Sequence, residues 1–307
     1  MNEDLYWALI DVANSILTGA MLGGSYALIS VGLALTFGVM KLVNLSHGDW
    51  LILAAYLCAA VLPITAGVSF LTLIVVVPVM FGLGYALQRL LLNHVTAQSA
   101  EARGLSPLQA MMLPLLVTFG LSITLSQVML NVFSADAETI PNGLSFSSFR
   151  LTEDLSVSTL RFCFFIAAGI ITAALAFWLN RTHTGRSLRA ASDDPETAAL
   201  MGMRTPHVYA VASGLSLAVA SVAGFMIGMS RSFQPFDGPP YLLIAFGVVV
   251  IGGIGSLSGV FLGGITLGVV QVFAGTFFGP AAQQIAGYIF ILAVLALRPN
   301  GIFSRVR

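Results

Sequence analysis

The sequence predicts an all-α protein whose helices form a bundle across a lipid bilayer. Three observations predict this fold class: 57% of the 307 residues are hydrophobic, only 8% are charged, and the hydrophobic residues stand in long unbroken runs. A soluble domain carries about 25% charged residues, so these few charges could not cover a water-facing surface. A closed β-barrel is disfavoured because its strands read as short segments of alternating polarity.

The apolar runs predict about nine crossings, with about eight to ten acceptable, because a helix needs about 20 apolar residues to span the hydrocarbon core. The first run is long enough to contain a tilt, a break or two short helices. The glycine-rich stretch 241–276 fits either one re-entrant element or two crossings. We expect the whole chain, 1–307, to form a single transmembrane domain. The predicted crossings lie at 12–40, 48–64, 69–92, 111–133, 161–180, 208–230, 241–254, 259–276 and 281–297.

Charged residues orient these crossings, since lysine and arginine collect in the cytoplasmic loops of membrane proteins. The only lysine is Lys41, and arginines concentrate in 181–204 and near the C-terminus. We therefore expect the N-terminus outside and the C-terminus inside. The segments predicted inside are 41–47, 93–110, 181–207 and 298–307, and those predicted outside are the acidic N-terminus, 65–68, 134–160 and 231–240.

A group of polar residues separates the first two predicted crossings. It consists of Asn44, Ser46, His47 and Asp49, beside Gly48. An unpaired acid at mid-bilayer costs about 2.5–3.5 kcal/mol on insertion scales. His47 can pair with Asp49, or Asp49 can cap the following helix, where a carboxylate suits the positive end of the helix dipole. Capping is the favoured interpretation, and a coupling or pathway role is the alternative, with Asn44, His47 and Asp49 as candidate pathway residues.

The predicted crossing at 111–133 has an unusual polar content. Thr118, Ser122 and Ser126 recur at four-residue spacing and therefore share one face of a helix. Such a stripe can hydrogen-bond to neighbouring helices or line a pathway, with Thr118 and Ser122 as candidate pathway residues. Deep in the predicted membrane region there is no clear acid–base pair, which argues against a proton-coupled carrier.

The 181–207 segment is the longest polar stretch predicted inside. Pro195 preceded by Asp194 indicates the start of a short helix of about seven residues, and Gly202 indicates its end. A short helix on the cytoplasmic face suits docking to a soluble partner. An ordinary solvated loop explains the pattern alone equally well.

Glycines recur at four-residue spacing, as in the pairs Gly19/Gly23, Gly224/Gly228 and Gly264/Gly268. Small residues at this spacing let helix backbones approach closely in a membrane, so tight packing is the main interpretation. The dense group within 247–268 also suggests broken or closely apposed helices near a pathway. Its candidate packing residues are Gly252, Gly253, Gly255, Gly259 and Gly263.

Several enzymatic functions are excluded by the residues that are present. A nucleotide-binding P-loop needs a lysine followed by serine or threonine, but Lys41 is followed by Leu42. The four histidines form no HExxH pattern, and Cys58 and Cys163 are expected to be small buried hydrophobes. We expect no catalytic residue, metal or cofactor, and the net charge of zero indicates no nucleic-acid partner.

Two stretches resemble a known family. Residues 23–49, GGSYALISVGLALTFGVMKLVNLSHGD, look like the N-terminal signature of the LivH-type membrane subunits of ABC importers for branched-chain amino acids. Residues 185–203, GRSLRAASDDPETAALMGM, resemble the cytoplasmic loop of the same family. The stretches 114–125, 248–270 and 297–303 also match the family in the same order, so the resemblance covers nearly the whole chain.

The resemblance implies that 186–204, within the 181–207 segment, couples the chain to an ATPase. Glu196 and Gly202 keep the spacing of the importers' EAA…G motif, with Ala198 at its second alanine and Thr197 replacing the first. This element would insert into a groove on the ATPase and transmit its closure to the crossings. The candidate coupling residues are Arg186, Arg189, Asp194, Glu196, Ala198 and Gly202.

The resemblance also implies partners and a location. The partners would be a second homologous permease subunit, two cytoplasmic ATP-binding subunits, an extracytoplasmic substrate-binding protein and membrane lipid. The chain would be a multi-pass protein of the bacterial inner membrane. It would form half of a pathway for branched-chain or other hydrophobic amino acids, with no ATPase site of its own. The alternative function is a stand-alone secondary carrier or a channel for small metabolites.

Overall fold

The computed structural model describes residues 3–95, 104, 106–141, 147–150 and 156–303. Within this part of the chain, eleven α-helices and a two-stranded antiparallel sheet are present. The predicted all-α membrane fold is confirmed. The helices are α1 (Glu3–Met40), α2 (His47–Val61), α3 (Thr72–Leu90), α4 (Pro107–Phe133), α5 (Thr159–Arg181), α6 (His183–Asp193), α7 (Pro195–Leu200), α8 (Thr205–Ser230), α9 (Gly238–Gly252), α10 (Leu257–Phe278) and α11 (Pro280–Leu297), and the strands are β1 (Ser148–Arg150) and β2 (Ser156–Ser158).

Seven of the described helices are long and apolar enough to cross a membrane: α1, α3, α4, α5, α8, α10 and α11. The other two predicted crossings correspond to α2 and α9, which have 15 residues each. At 1.5 Å per residue each is about 22 Å long, short of the roughly 30 Å hydrocarbon core. The first predicted run, 12–40, lies within one continuous helix of 38 residues. The glycine-rich stretch forms the two separate helices α9 and α10.

The chain divides into two compact units, and three helices run from one unit into the other. Unit 1 contains Met1–Ser30, Asn142–Ala173 and Ile244–Arg307. Unit 2 contains Val31–Pro141 and Ala174–Leu243.

In unit 1, the first part of α1 packs closely against α10. A Cβ atom added at Gly264 would lie 2.6 Å from the carbonyl oxygen of Gly23, and one at Gly19 would lie 2.6 Å from the Cα of Val269. Tyr26 donates a hydrogen bond of 2.6 Å to Gln271 beside this contact. The pairs Gly19/Gly23 and Gly264/Gly268 therefore meet each other, as small residues allow in membrane helices.

The glycines between α9 and α10 serve two different purposes. Gly252 and Gly263 lie where the two helices touch, since a Cβ added at either would come within 3 Å of backbone atoms, and Gly259 lies against the Gly252 carbonyl. Gly253 and Gly255 have φ values of +87° and +84° in the connecting turn. The expected packing role is wrong for Gly255, whose added Cβ would meet nothing within 4 Å; glycine is needed there for the left-handed backbone.

Cysteine burial also differs from the expectation at one position. Cys58 is buried, but Cys163 on α5 is exposed on this chain. The surface around it is apolar, with Phe162 and Ile166 exposed at 40% and 44%. A helix that faces lipid keeps apolar side chains on its outer surface. The position of Cys163 in an apolar run therefore did not imply that it is buried within the chain.

In unit 2, α8 is the central helix, and α3, α2 and the end of α1 pack around it. Gly84 of α3 lies against the backbone of Ser213, and Gly224 lies against Leu51 of α2. Ser216 donates a hydrogen bond of 2.7 Å to the carbonyl of Gly32. Close backbone contacts therefore hold three helices onto α8 along its length.

The two ends of α8 separate the loops predicted inside from those predicted outside. Near its first turn, Asn93 donates to the carbonyl of Pro206 at 3.2 Å. At its other end, Glu138 and Phe233 exchange backbone hydrogen bonds of 3.0 and 3.1 Å just after α8, and Ile140 donates to Gly228 in the last turn at 2.8 Å. This grouping is the one the charge pattern predicts, and the side that faces the cytoplasm stays a prediction.

Candidate functional site

Two groups of candidate residues lie in unit 2. The first, called the central cluster, consists of Asn44, Ser46, His47, Asp49, Thr118, Ser122 and Ser126. The second is the 181–207 segment with its helices α6 and α7.

The central cluster begins where the chain reverses after α1. Lys41 has a φ of +52°, and α2 starts at His47. The side-chain oxygen of Asn44 accepts hydrogen bonds from the Ser46 amide (3.0 Å) and hydroxyl (2.7 Å). The Ser46 hydroxyl in turn accepts from the indole of Trp50 at 3.1 Å. Asn44 and Ser46 therefore close the buried turn that positions the start of α2.

Asp49 lies in the first turn of α2 and is 1% exposed. Its carboxylate accepts hydrogen bonds from Ser122 (2.5 Å) and Ser126 (3.1 Å), one turn apart on α4. Thr118, a further turn along, accepts from the amide of Leu45 at 3.2 Å. The predicted polar face of α4 thus lies against the polar residues at the start of α2.

The position of Asp49 agrees with the capping interpretation, and its pathway role stays a prediction. A carboxylate in the first helical turn is favoured by the dipole of α2, while Ser46 at the N-cap makes no side-chain capping bond. The hydrogen bonds to Asp49 come from another helix, which sequence spacing within 44–49 could not indicate. His47 is also buried, and its ring packs against Gly32, where an added Cβ would lie 3.1 Å from Cε1.

The start of α9 closes over this cluster. A Cβ added at Gly48 would lie 2.7 Å from the carbonyl carbon of Gly238, and one at Gly238 would collide with the Asp49 carboxylate. Only glycine fits at these two positions. Sequence reasoning missed Gly238, although a glycine followed by two prolines at the start of an apolar run was a usable signal.

The 181–207 segment is folded and attached to the rest of unit 2. Thr182 caps α6 by accepting from the Gly185 amide at 3.0 Å. Leu188 and Ala191 are buried, and Ser192 donates a hydrogen bond of 2.6 Å to the carbonyl of Gly38 at the end of α1. This hydrogen bond ties α6 to the end of α1.

The predicted short helix is confirmed as α7, Pro195–Leu200, followed by Gly202 with a φ of +82°. The Asp194 carboxylate accepts from the Thr197 hydroxyl (2.6 Å) and from the amides of Glu196 (3.0 Å) and Thr197 (3.1 Å). These bonds, chiefly those from Thr197, hold the pKa of the Asp194 carboxyl below its usual value. Both ends of this helix of six residues are thus fixed by local interactions.

The candidate coupling residues differ in what they present to a partner. Arg186, Arg189, Asp194, Glu196 and Gly202 are exposed, whereas Ala198 is buried and supports α7 from behind. Arg189 is held by Asn180, to which it donates at 2.8 Å.

Sequence reasoning overlooked two apolar side chains at the end of α7. Leu200 is 88% exposed and Met201 is 76% exposed. They are adjacent apolar residues within a polar segment, and that contrast was the available signal.

A metal centre finds no support in the described residues, where no group of three His, Cys, Asp or Glu side chains is placed to hold an ion. The polar groups of the central cluster are hydroxyls, an amide, an imidazole and one carboxylate. Such groups can bind and release a polar solute by hydrogen bonding.

Comparison with known proteins agrees with this architecture. The profile of the family described as "Branched-chain amino acid transport system / permease component" matches residues 15–297. The high-affinity branched-chain amino acid transport system permease protein BraD of Pseudomonas aeruginosa is 26% identical, covering 94% of this chain and 95% of BraD. LivH of Escherichia coli is 25% identical over 99% of this chain and 98% of its own length. A probable LivH of Methanocaldococcus jannaschii is 26% identical, over 94% and 91%.

Proposed function

Because the chain belongs to the family of branched-chain amino acid transport permease components, we propose that it forms half of the translocation pathway of an ABC importer for branched-chain or other hydrophobic amino acids. It is a multi-pass membrane protein and a permease subunit. The family relationship favours this function over a stand-alone carrier or a channel.

The observation that carries the proposal is the form of the 181–207 segment. α7 is short, capped at both ends and exposed, and its tip presents Leu200 and Met201. α6 ties this tip to the end of α1 through Ser192 and Gly38. A soluble ATPase that binds α7 would therefore pull on a membrane helix through a short, ordered connection.

Family membership implies a partner ATPase and other subunits. The proposed assembly contains a second homologous permease, two ATP-binding subunits and an extracytoplasmic binding protein. The sequence has no P-loop, so ATP hydrolysis is assigned to the partner chains. The names of the relatives BraD and LivH support branched-chain amino acids as the substrate class.

The proposed location is the bacterial inner membrane, with the N-terminus outside and the 181–207 segment in the cytoplasm. Single cysteines at positions 192 and 147, in a background without Cys58 and Cys163, test this orientation. A membrane-impermeant maleimide should label position 147 in intact cells and position 192 only after permeabilisation. The reverse pattern would overturn the orientation.

The coupling role is tested by Glu196→Lys and Gly202→Asp. Both should reduce co-purification of the ATP-binding subunits while the chain still inserts into the membrane, because both residues lie on the exposed element. The matched control is Asp136→Lys, which changes an exposed acid at the opposite end of unit 2 and should co-purify like the wild type. Unchanged co-purification and transport in both test variants would refute the coupling role.

A further inference from the structure

α2 and α4 meet along one continuous seam. Asp49 and Tyr56 are seven residues apart, so they project from the same face of α2, about 10 Å apart along its axis. Ser126 and Phe133 have the same spacing on α4. Asp49 accepts a hydrogen bond from Ser126, and Tyr56 stacks on Phe133 with ring centroids 4.6 Å apart and planes at 14°.

The seam has an inner end at Asp49 and an outer end at Tyr56. The hydroxyl group of Tyr56 is unusual. The side chain is 0% exposed, and its oxygen has no hydrogen-bond partner among the described residues. Its ring is fixed by Phe133 on one side and by the edge contact with Phe233, at 4.8 Å, on the other. Burial of a hydroxyl group without a hydrogen-bond partner raises the free energy of the folded chain. A ligand that forms a hydrogen bond with this hydroxyl would remove that unfavourable free energy.

Both ends of the seam offer oxygen atoms that can accept hydrogen bonds. Tyr56 interacts electrostatically with the carboxyls of Glu138 and Asp237. At the inner end, the Asp49 carboxyl group accepts hydrogen bonds from the uncharged hydroxyls of Ser122 and Ser126. An ammonium group can donate hydrogen bonds to the oxygen atoms at both ends.

One stretch of chain covers both sites. Phe233 lies on Tyr56, and Gly238, five residues later, lies on Gly48 and Asp49. In this conformation neither Asp49 nor Tyr56 reaches solvent. Displacement of the 233–238 stretch would uncover the two sites together.

We propose that the α2–α4 seam is the substrate route in this subunit, and that the Tyr56 hydroxyl and then the Asp49 carboxylate receive the ammonium group of an α-amino acid. The faces of Phe133 and Phe233 provide apolar contact for an aliphatic side chain at the outer site. This inference rests on the proposed function and adds the residues and the substrate group that they bind.

The test uses the complete importer in proteoliposomes, with leucine supplied on its binding protein. Tyr56→Phe and Asp49→Asn each remove one polar function and keep the size of the side chain. We expect kcat/KM for leucine uptake to fall at least about tenfold in each, the loss typical of a hydrogen bond to a charged group. Leucine imported per ATP hydrolysed should fall as well, which a general loss of assembly would not produce.

Matched controls are Tyr209→Phe, a buried tyrosine on α8 outside the seam, and Asp136→Asn, an exposed acid. Both should transport like the wild type. If Asp49→Asn fails to insert, Tyr56→Phe and Ser126→Ala still test the seam. Wild-type transport with unchanged kinetics in Tyr56→Phe and in the inserted Asp49→Asn or Ser126→Ala variant would overturn this inference alone. Absence of ATP-driven leucine uptake by the wild type would instead overturn the proposed function.

Discussion

Leu200 at the end of α7 provides a quantitative test of docking to the ATP-binding subunit. It is 88% exposed, so nearly the whole side chain is available for burial against a partner. Full burial of a leucine side chain is worth about 1.5–3 kcal/mol. Leu200→Ser should therefore weaken association with the ATP-binding subunit by about 10- to 150-fold. The same side chain contributes little to the fold, so membrane insertion and thermal stability should stay unchanged.

The assay is binding of the purified chain in detergent to a fluorescently labelled ATP-binding subunit. Leu90→Ser is the matched control, because Leu90 is 74% exposed but belongs to α3. The control should bind like the wild type. Equal affinities for wild type and Leu200→Ser, or equal losses in Leu200→Ser and Leu90→Ser, would refute docking through the tip of α7.

Three further predictions concern the backbone and the charges of the same structure. Gly202→Ala should weaken the same association more than Gly202→Asn, because alanine pays about 1–2 kcal/mol in a left-handed conformation that asparagine tolerates; equal affinities would contradict this. Gly264→Leu should lower the melting temperature, because even its Cβ would lie 2.6 Å from the Gly23 oxygen, whereas Gly120→Leu, which meets nothing within 4 Å, should not. The pKa of Asp194 is lowered from 3.8 in the folded chain, so its stabilisation of α7 is present above that value and is lost only as pH falls through the lowered pKa. Asp194→Ala should therefore weaken association with the ATP-binding subunit equally at pH 5 and pH 8. A loss of affinity at only one of these pH values would contradict the lowered pKa of Asp194.

Much of the fold follows from local sequence. The predicted run 208–230 lies within α8, Thr205–Ser230, because a continuous apolar stretch in lipid has few alternatives to a helix. The ends of α7 were equally accessible, since Asp194, Pro195 and Gly202 act on their immediate neighbours. These signals depend on residues within a few positions of one another.

The arrangement of the central cluster depends on contacts between distant parts of the chain. Ser126 is 77 residues from Asp49, and the stripe on α4 gave no indication of which helix it would meet. The unpaired hydroxyl of Tyr56 is likewise visible only once Phe133 and Phe233 surround the ring. Apolar periodicity identifies helices in a membrane protein, but it does not separate lipid-facing surfaces from buried ones, as Cys163 illustrates.

The most direct test of the central claim is leucine uptake into proteoliposomes that contain this chain and its second permease, with and without the ATP-binding subunits. Uptake is measured with binding protein and leucine outside and ATP enclosed. The proposed function predicts uptake against a gradient only when both ATP and the ATP-binding subunits are present. Uptake that proceeds equally without them would contradict it and would identify the chain as a carrier or channel that works alone.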